Sequence, residues 1–135
     1  GVRVLYMLGR WQRLIFIRDR DKIYIFSFWA TWCAPCISEL EAINEHYAKW
    51  SEELNMELIA VSTDDSRTQR RVRPLLNGKN WPYQVLMDTN QDLKRALSIV
   101  NIPYMVVVKN QKIELIFNGY TQGAEEKLYQ SLKTL

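Results

Sequence analysis

The chain carries two cysteines, Cys33 and Cys36, held apart by Ala34 and Pro35 in the stretch Phe28-Trp29-Ala30-Thr31-Trp32-Cys33-Ala34-Pro35-Cys36. On a helix, residues three positions apart bring their β-carbons to roughly 5–6 Å, so a small adjustment closes a disulfide between them. Two thiols so placed can pass between dithiol and disulfide and move two electrons without an organic cofactor. Two blander uses of the spacing compete: half of a zinc site, or a structural disulfide. Zinc needs more ligands, and the chain has one histidine and no other cysteine. That histidine, His46, lies along the same expected helix at roughly 15 Å from Cys36, too far to close a site with both thiols. A bridge over two intervening residues constrains little loop entropy and makes a poor staple. With a strand before the pair, aromatics around it and a helix after it, redox exchange is the chemistry these residues point to.

The elements that must position the pair can be read on either side of it. Lys22-Ile23-Tyr24-Ile25-Phe26-Ser27-Phe28-Trp29 is almost continuously apolar and rich in β-formers, which predicts a central strand buried on both faces. Beyond it Leu40, Ile43, Tyr47, Trp50 and Leu54 recur every three or four residues, and no glycine or proline interrupts the chain between Pro35 and Leu54. That spacing predicts one helix, with Cys33 at its N-terminus and Cys36 in its first turn. The free N–H groups and positive dipole end of a helix favour a thiolate at Cys33, and a first-turn proline costs no intrahelical bond.

The rest of the chain supplies a scaffold. Glu57-Leu58-Ile59-Ala60-Val61-Ser62 completes a βαβ unit, whose parallel strands end at the sheet edge where ligands of α/β folds bind. Asp64, Asp65 and Ser66 are N-cap candidates for a helix to about Leu76, with Arg67, Arg70 and Arg71 on one face and Arg73 close by. A solvated face is the plainer reading of those arginines; a docking patch for an acidic partner is the sharper one. Asn77-Gly78-Lys79-Asn80 reads as a turn, Tyr83–Met87 as a short strand, and Asp88 with Gln91 as a capping box opening a helix through Leu97. Asn101-Ile102-Pro103-Tyr104 leads into a hairpin, Met105–Val108 and Ile113–Phe117 about a polar turn at 109–112, and Glu125–Leu132 closes the chain as a helix. In the first twenty residues, Leu14-Ile15-Phe16-Ile17 predicts a strand. The elements then run β-α-β-α-β-α-β-β-α, a mixed sheet with helices on both faces.

Composition sets bounds. A chain of 135 residues with 47% hydrophobic residues is one domain able to bury a core, and a net charge of +3 argues for neither a nucleic-acid binder nor a membrane-surface protein. No apolar run approaches the roughly 18 residues of a membrane helix. No signal peptide is visible, which is uninformative because export removes one. The Cys-x-x-Cys spacing itself fixes no compartment.

The stretch from Phe28 to Cys36 resembles the active-site motif of the thioredoxin superfamily. It is most similar to the TlpA- and ResA-like thiol-disulfide oxidoreductases of bacterial envelopes, which share a Trp-Cys-x-Pro-Cys core. The likeness covers most of the chain from about Lys22, with residues 1–20 poorly matched. It implies one thioredoxin-like α/β domain, a central mixed β-sheet flanked by helices on both faces, with an extra strand-helix insert before the cis-proline hairpin. It also implies that Ile102-Pro103 is the family's cis-proline element, although a bare Ile-Pro bond is more often trans. There the Ile102 backbone would hold an extended substrate as if it were a strand, and Tyr104, where relatives carry threonine, would narrow or redirect the groove.

Cys33 is then the nucleophile and Cys36 the resolving thiol, with Trp32, Ala34 and Pro35 on the substrate-facing rim. Many thioredoxins bury an aspartate at the position of Ser27, so that acid is missing. Glu39 matches a glutamate of ResA-like proteins and is the candidate to take the Cys36 proton, its pKa raised by semi-burial. Glu41 stands where relatives place a helix-kinking proline, which predicts a straighter active-site helix. Trp29 packs, as do Trp11, Trp50 and Trp81, and His46 sits at the helix flank. The expected activity is protein disulfide reduction. The rivals are a disulfide oxidase or isomerase, a peroxiredoxin-like peroxidase, and a non-catalytic binding module with a structural disulfide. Expected partners are protein thiol or disulfide substrates and an upstream electron-donor protein, with no nucleic acid, no metal and no cofactor beyond the dithiol. A monomer in the bacterial envelope or periplasm, with scope for an anchor outside this sequence, completes the expectation.

Overall fold

The computed structural model describes residues 21–135. The expected strand at 14–17 and the packing role of Trp11 lie outside those residues.

Strand β1 (Ile23–Trp29) is the axis of a five-stranded sheet, and all seven of its residues are buried. It pairs in parallel with β2 (Met56–Ser62) and antiparallel with β4 (Tyr104–Lys109). Outside these lie β3 (Gln84–Met87), parallel to β2, and β5 (Lys112–Asn118), antiparallel to β4, giving the order β3-β2-β1-β4-β5. Both faces of β1 are covered, which is why its sequence is almost unbroken apolar rather than alternating. Ile23, Ile25 and Trp29 belong to one core with Cys36, Leu40 and Ile43; Tyr24, Phe26 and Phe28 belong to a second core with Ile59, Val106 and Leu93. This is the mixed sheet with helices on both faces that the element order predicts.

The expected uninterrupted helix is in fact two, α1 (Ala34–Asn44) and α2 (Tyr47–Leu54). The absence of proline at Glu41 does not keep it straight; the break comes one turn later, at Glu45 and His46. There the His46 N–H turns back to the Ile43 carbonyl at 3.0 Å, a tightened final turn, before Trp50 resumes the ladder on the His46 carbonyl at 2.9 Å. Each half has its own anchors. Leu40 and Ile43 are fully buried in the core. In α2 the Tyr47 hydroxyl accepts the Leu58 N–H at 2.8 Å, and Trp50 stacks between His46 and Tyr129. A bend between two independently docked segments satisfies both sets.

Three further details differ from expectation: the start of the helix after β2, the turn at 77–80 and the partner of Gln91. The helix after β2 does not start at Asp64–Ser66: a single 3-10 turn at Gln69–Arg71 precedes α3 (Val72–Lys79). Asp64 turns inward instead of capping a helix. The arginines consequently share no helical face: Arg67 folds onto Asp65 at 2.8 Å, and Arg70 donates to the Arg67 carbonyl. The expected turn at 77–80 is mostly the last turn of α3, which ends on Asn80 in the left-handed region (φ 58°). Asp88 does cap α4 (Asp92–Ala96), accepting the Leu93 and Lys94 N–H groups at 3.1 and 3.0 Å. Gln91 does not reciprocate as a capping box requires; its amide donates to the Thr63 carbonyl at 2.8 Å.

The hairpin turns through Asn110 and Gln111, both at positive φ, with an irregularity in the β4–β5 register between Val107 and Val108. Among the described residues β5 is an edge strand, and Ile113 and Ile116 on it are half-exposed. Helix α5 (Ala124–Lys133) buries Leu128 and Leu132 in the core that holds Cys36 and Leu40.

Candidate active site

The C-terminal end of β1 delivers the chain into Ala30-Thr31-Trp32 and then into α1. Cys33 is the N-cap of α1, Ala34 and Pro35 open its first turn, and Cys33 and Cys36 are joined as a disulfide with their α-carbons 5.3 Å apart. The Cys36 N–H donates to the Cys33 sulfur at 3.3 Å. A cap position normally filled by a serine or aspartate oxygen is thus held by sulfur. In the reduced protein the same amide and helix end favour a thiolate there. Both sulfurs are shielded, Cys33 slightly less than Cys36. Beside them Trp32 is 58% exposed, Ala34 and Pro35 lie at the surface, and Trp29 is fully buried with its ring edge-on to Trp81 at 5.7 Å.

The loop carrying Trp32 and Cys33 is tied to the loop after β2. Asp64, fully buried, accepts the Thr31 N–H at 3.0 Å and three hydroxyls: Thr31 at 2.6 Å, Ser62 at 2.7 Å and Thr68 at 2.7 Å. The Thr63 N–H adds a bond to the Trp29 carbonyl at 2.7 Å, and the Cys33 N–H turns back to Ala30 at 3.1 Å. Four donors satisfy a charge that would otherwise be costly to bury. Sequence reasoning assigned Asp64 to a helix cap; its inward role had no signal beyond the Ser62-Thr63-Asp64 run at a strand end.

The Ile102–Pro103 peptide bond is cis, as the resemblance implied. Tyr104 pairs with Phe28 across β1 and β4, so Pro103 stands at the end of β1 from which the cysteine loop springs. Ile102 packs against both cores, and Tyr104 is half-buried.

Glu39 lies in α1 beyond Cys36 and is only 6% exposed. Its Oε1 has no hydrogen-bond partner, and burial, reinforced by the charge of Glu125, pushes its pKa up to about 8. Two uncharged polar atoms are in the same condition: Ser27 Oγ, where many thioredoxins carry the acid, and Trp29 Nε1. Glu41 does face away, its carboxylate accepting the Trp81 indole N–H at 2.7 Å and pairing with Lys79 at 3.5 Å. His46 is exposed at the α1–α2 break. Among the described residues no three His, Cys, Asp or Glu side chains are grouped to hold a metal, and no helix is long and apolar enough to cross a membrane. Sequence reasoning missed Tyr120 and Glu125, which share a cavity with Glu39, because nothing in the sequence ties the segment before α5 to α1.

Sheet order, helix-capping disulfide and cis-proline together define a thioredoxin-like fold. The AhpC/TSA family model matches residues 11–116, and the chain belongs to that family. A thiol-disulfide oxidoreductase ResA of Bacillus thuringiensis subsp. konkukian is 26% identical over 86% of this chain, and one of Oceanobacillus iheyensis is 32% identical over 70%. The chain spans 65% and 48% of the length of those two relatives. Among solved structures, an uncharacterized thioredoxin-like protein from Porphyromonas gingivalis is 44% identical, with a TM-score of 0.75 over 84% of this chain and 75% of its own. A putative thiol:disulfide interchange protein DsbE from Chlorobium tepidum shares the fold at 21% identity, with a TM-score of 0.78 over 88% of this chain and 83% of its own.

Proposed function

We propose that this chain is a thiol-disulfide oxidoreductase that reduces protein disulfides in a bacterial envelope. The observation that carries the reading is the Cys33–Cys36 disulfide capping α1, with the Cys36 amide aimed at the Cys33 sulfur. In the reduced protein, Cys33 thiolate attacks one sulfur of a substrate disulfide. The substrate S–S bond breaks, one substrate sulfur leaves as thiolate, and a Cys33–substrate mixed disulfide forms. Cys36 then gives up its proton and attacks Cys33, expelling the second substrate sulfur; two electrons have passed to the substrate and the bridge described above is restored. A dithiol electron-donor protein opens it again by the same steps in reverse.

Glu39 handles the Cys36 proton in this scheme. With a pKa near 8 it is matched to a thiol of about 8.5, so the proton passes either way with little driving force lost. Trp32, Ala34, Pro35 and the Ile102–Pro103–Tyr104 segment form the substrate face, with the Ile102 backbone available to an extended peptide. The name of the relatives, thiol-disulfide oxidoreductase, supports the exchange chemistry; the reductase direction and the envelope location rest on the resemblance of the Trp-Cys-x-Pro-Cys core.

The test is a Cys36→Ser variant, which should accumulate mixed disulfides on Cys33 with protein partners while Cys33→Ser accumulates none. Equal recovery from both would remove the enzyme reading in favour of a binding module. Beside the oxidase or isomerase reading stands another rival, a peroxidase. It requires Cys33-dependent peroxide consumption far faster than that of a free thiol.

A further inference from the structure

Two concavities flank α1 on its α5 side. One, of about 250 Å³, lies over Glu39 and is lined also by Met105, Phe117, Tyr120, Glu125 and Lys127. The other, about 780 Å³ and more open, runs beside Ala34 and Pro35, the spacer between the thiols, and past Ile37 and Glu41. Two residues line both: Tyr120 and Glu125. They are bonded to each other, the Tyr120 hydroxyl donating to Glu125 Oε1 at 2.9 Å. The pair therefore forms the partition between the open groove beside the reactive motif and the cavity over a buried carboxylate whose Oε1 has no partner.

We propose that Glu125, held by Tyr120, is a positioning residue that couples the groove beside Ala34-Pro35 to the protonation of Glu39. This deepens the reading of Glu39 as the proton-handling group and rests on it. Glu125 acts through charge. A carboxylate facing a second carboxylate across a small cavity favours the protonated form of the more buried one. The other elements around Glu39 bring little that competes. On its own helix lies Cys36, bridged in the oxidised state; β4 and β5 bring Met105 and Phe117, both uncharged. Tyr83 lies buried before β3 with its hydroxyl bonded to the Leu40 carbonyl. Among the described residues Lys127 is the one cation on the cavity wall. A substrate cation that entered the groove and paired with Glu125 would cancel the repulsion, so that Glu39 releases its proton more readily once substrate is in place.

The experiment is a 13C NMR titration of the Glu39 side-chain carboxyl in the oxidised protein, alongside the pH profile of substrate reduction. Glu125→Gln keeps the acceptor for Tyr120 and removes the charge. It should lower the Glu39 midpoint by about half a pH unit or more and move the matching limb of the activity profile by the same amount. Glu126→Gln, a neighbour on α5 that lines neither concavity, should move neither. A Glu39 midpoint indifferent to Glu125→Gln overturns the proposal, and so does a midpoint that moves while the activity profile stands still. Trapping by Cys36→Ser does not involve Glu125, so failure here and failure of the reductase reading are separately visible.

Discussion

Two carboxylates are buried within reach of the same active-site helix, and they are treated in opposite ways. Asp64 is surrounded by four donors, two from the residue before Trp32, one from the end of β2 and one from the loop beyond. Glu39 has an oxygen with no donor and a second carboxylate, Glu125, nearby. A carboxylate met by four protein donors is tied into the architecture. A charge denied such partners keeps its proton until the chemistry removes it. One acid ties the cysteine loop in place, and the other is the proton carrier of the scheme proposed above.

The contrast can be broken at either end, and the largest effect should come from emptying the saturated site. Asp64→Ala strands four donors, that of Ser62 fully buried and those of Thr31 and Thr68 half-buried, and should cost about 3 kcal/mol or more in urea unfolding of the oxidised protein. A loss below about 1 kcal/mol would mean the donors find other partners.

Next in size is the loss of proton transfer. Glu39→Gln should slow substrate reduction at neutral pH by about 100-fold while leaving the first attack by Cys33, read as mixed-disulfide formation in a Cys36→Ser background, close to unchanged. An equal slowing of both steps would place Glu39 in loop positioning instead.

The same substitution should stabilise the fold, with a definite pH signature. The folded pKa of Glu39, about 8, lies above the ordinary carboxylate value of 4.5, so the folded state binds more proton between those values and stability falls as pH rises through that window. Glu39→Gln removes the penalty. Its gain over the parent should be absent near pH 4 and reach about 2 kcal/mol near pH 7, seen as a Tm difference that opens with pH. A gain of the same size at both pH values would trace to packing and not to charge.

The smallest effect sharpens the description of Asp64. Thr68→Val removes one of its donors on the side away from the cysteines and should cost about 1 kcal/mol without altering the rate at which Cys33 is alkylated. Thr31→Val removes a donor on the cysteine side and should change that rate as well.

What the sequence disclosed follows the same division. Elements set by local periodicity were legible: the buried run of β1, the hairpin at Tyr104–Phe117, the cysteine pair at a helix start. The family resemblance singles out Glu39, since its position alone reads as a solvated helix glutamate, and the structure buries it. Illegible were the features that depend on where a side chain turns after the backbone is placed. Asp64 and Asp88 look alike as helix caps in sequence, yet one caps α4 and the other bonds inward, because Thr31 arrives beside it from a segment 33 residues earlier. Trp50 meets Tyr129 from α5, and the Tyr120–Glu125 pair meets Glu39 only through the packing of α5 on α1. Long-range partners of this kind leave no mark in a window of ten residues.

The open side of β5 has a bearing on how the protein survives at high concentration. An edge strand with Ile113 and Ile116 half-exposed presents hydrogen-bonding groups and apolar surface to any other extended chain, the usual start of strand-to-strand aggregation. Here Lys112 and Glu114 place charges along that edge, and the irregularity at Val107/Val108 disturbs the regular ladder that a second chain would extend. Among the described residues these two charges guard the margin, so neutralising both together should make it more adhesive.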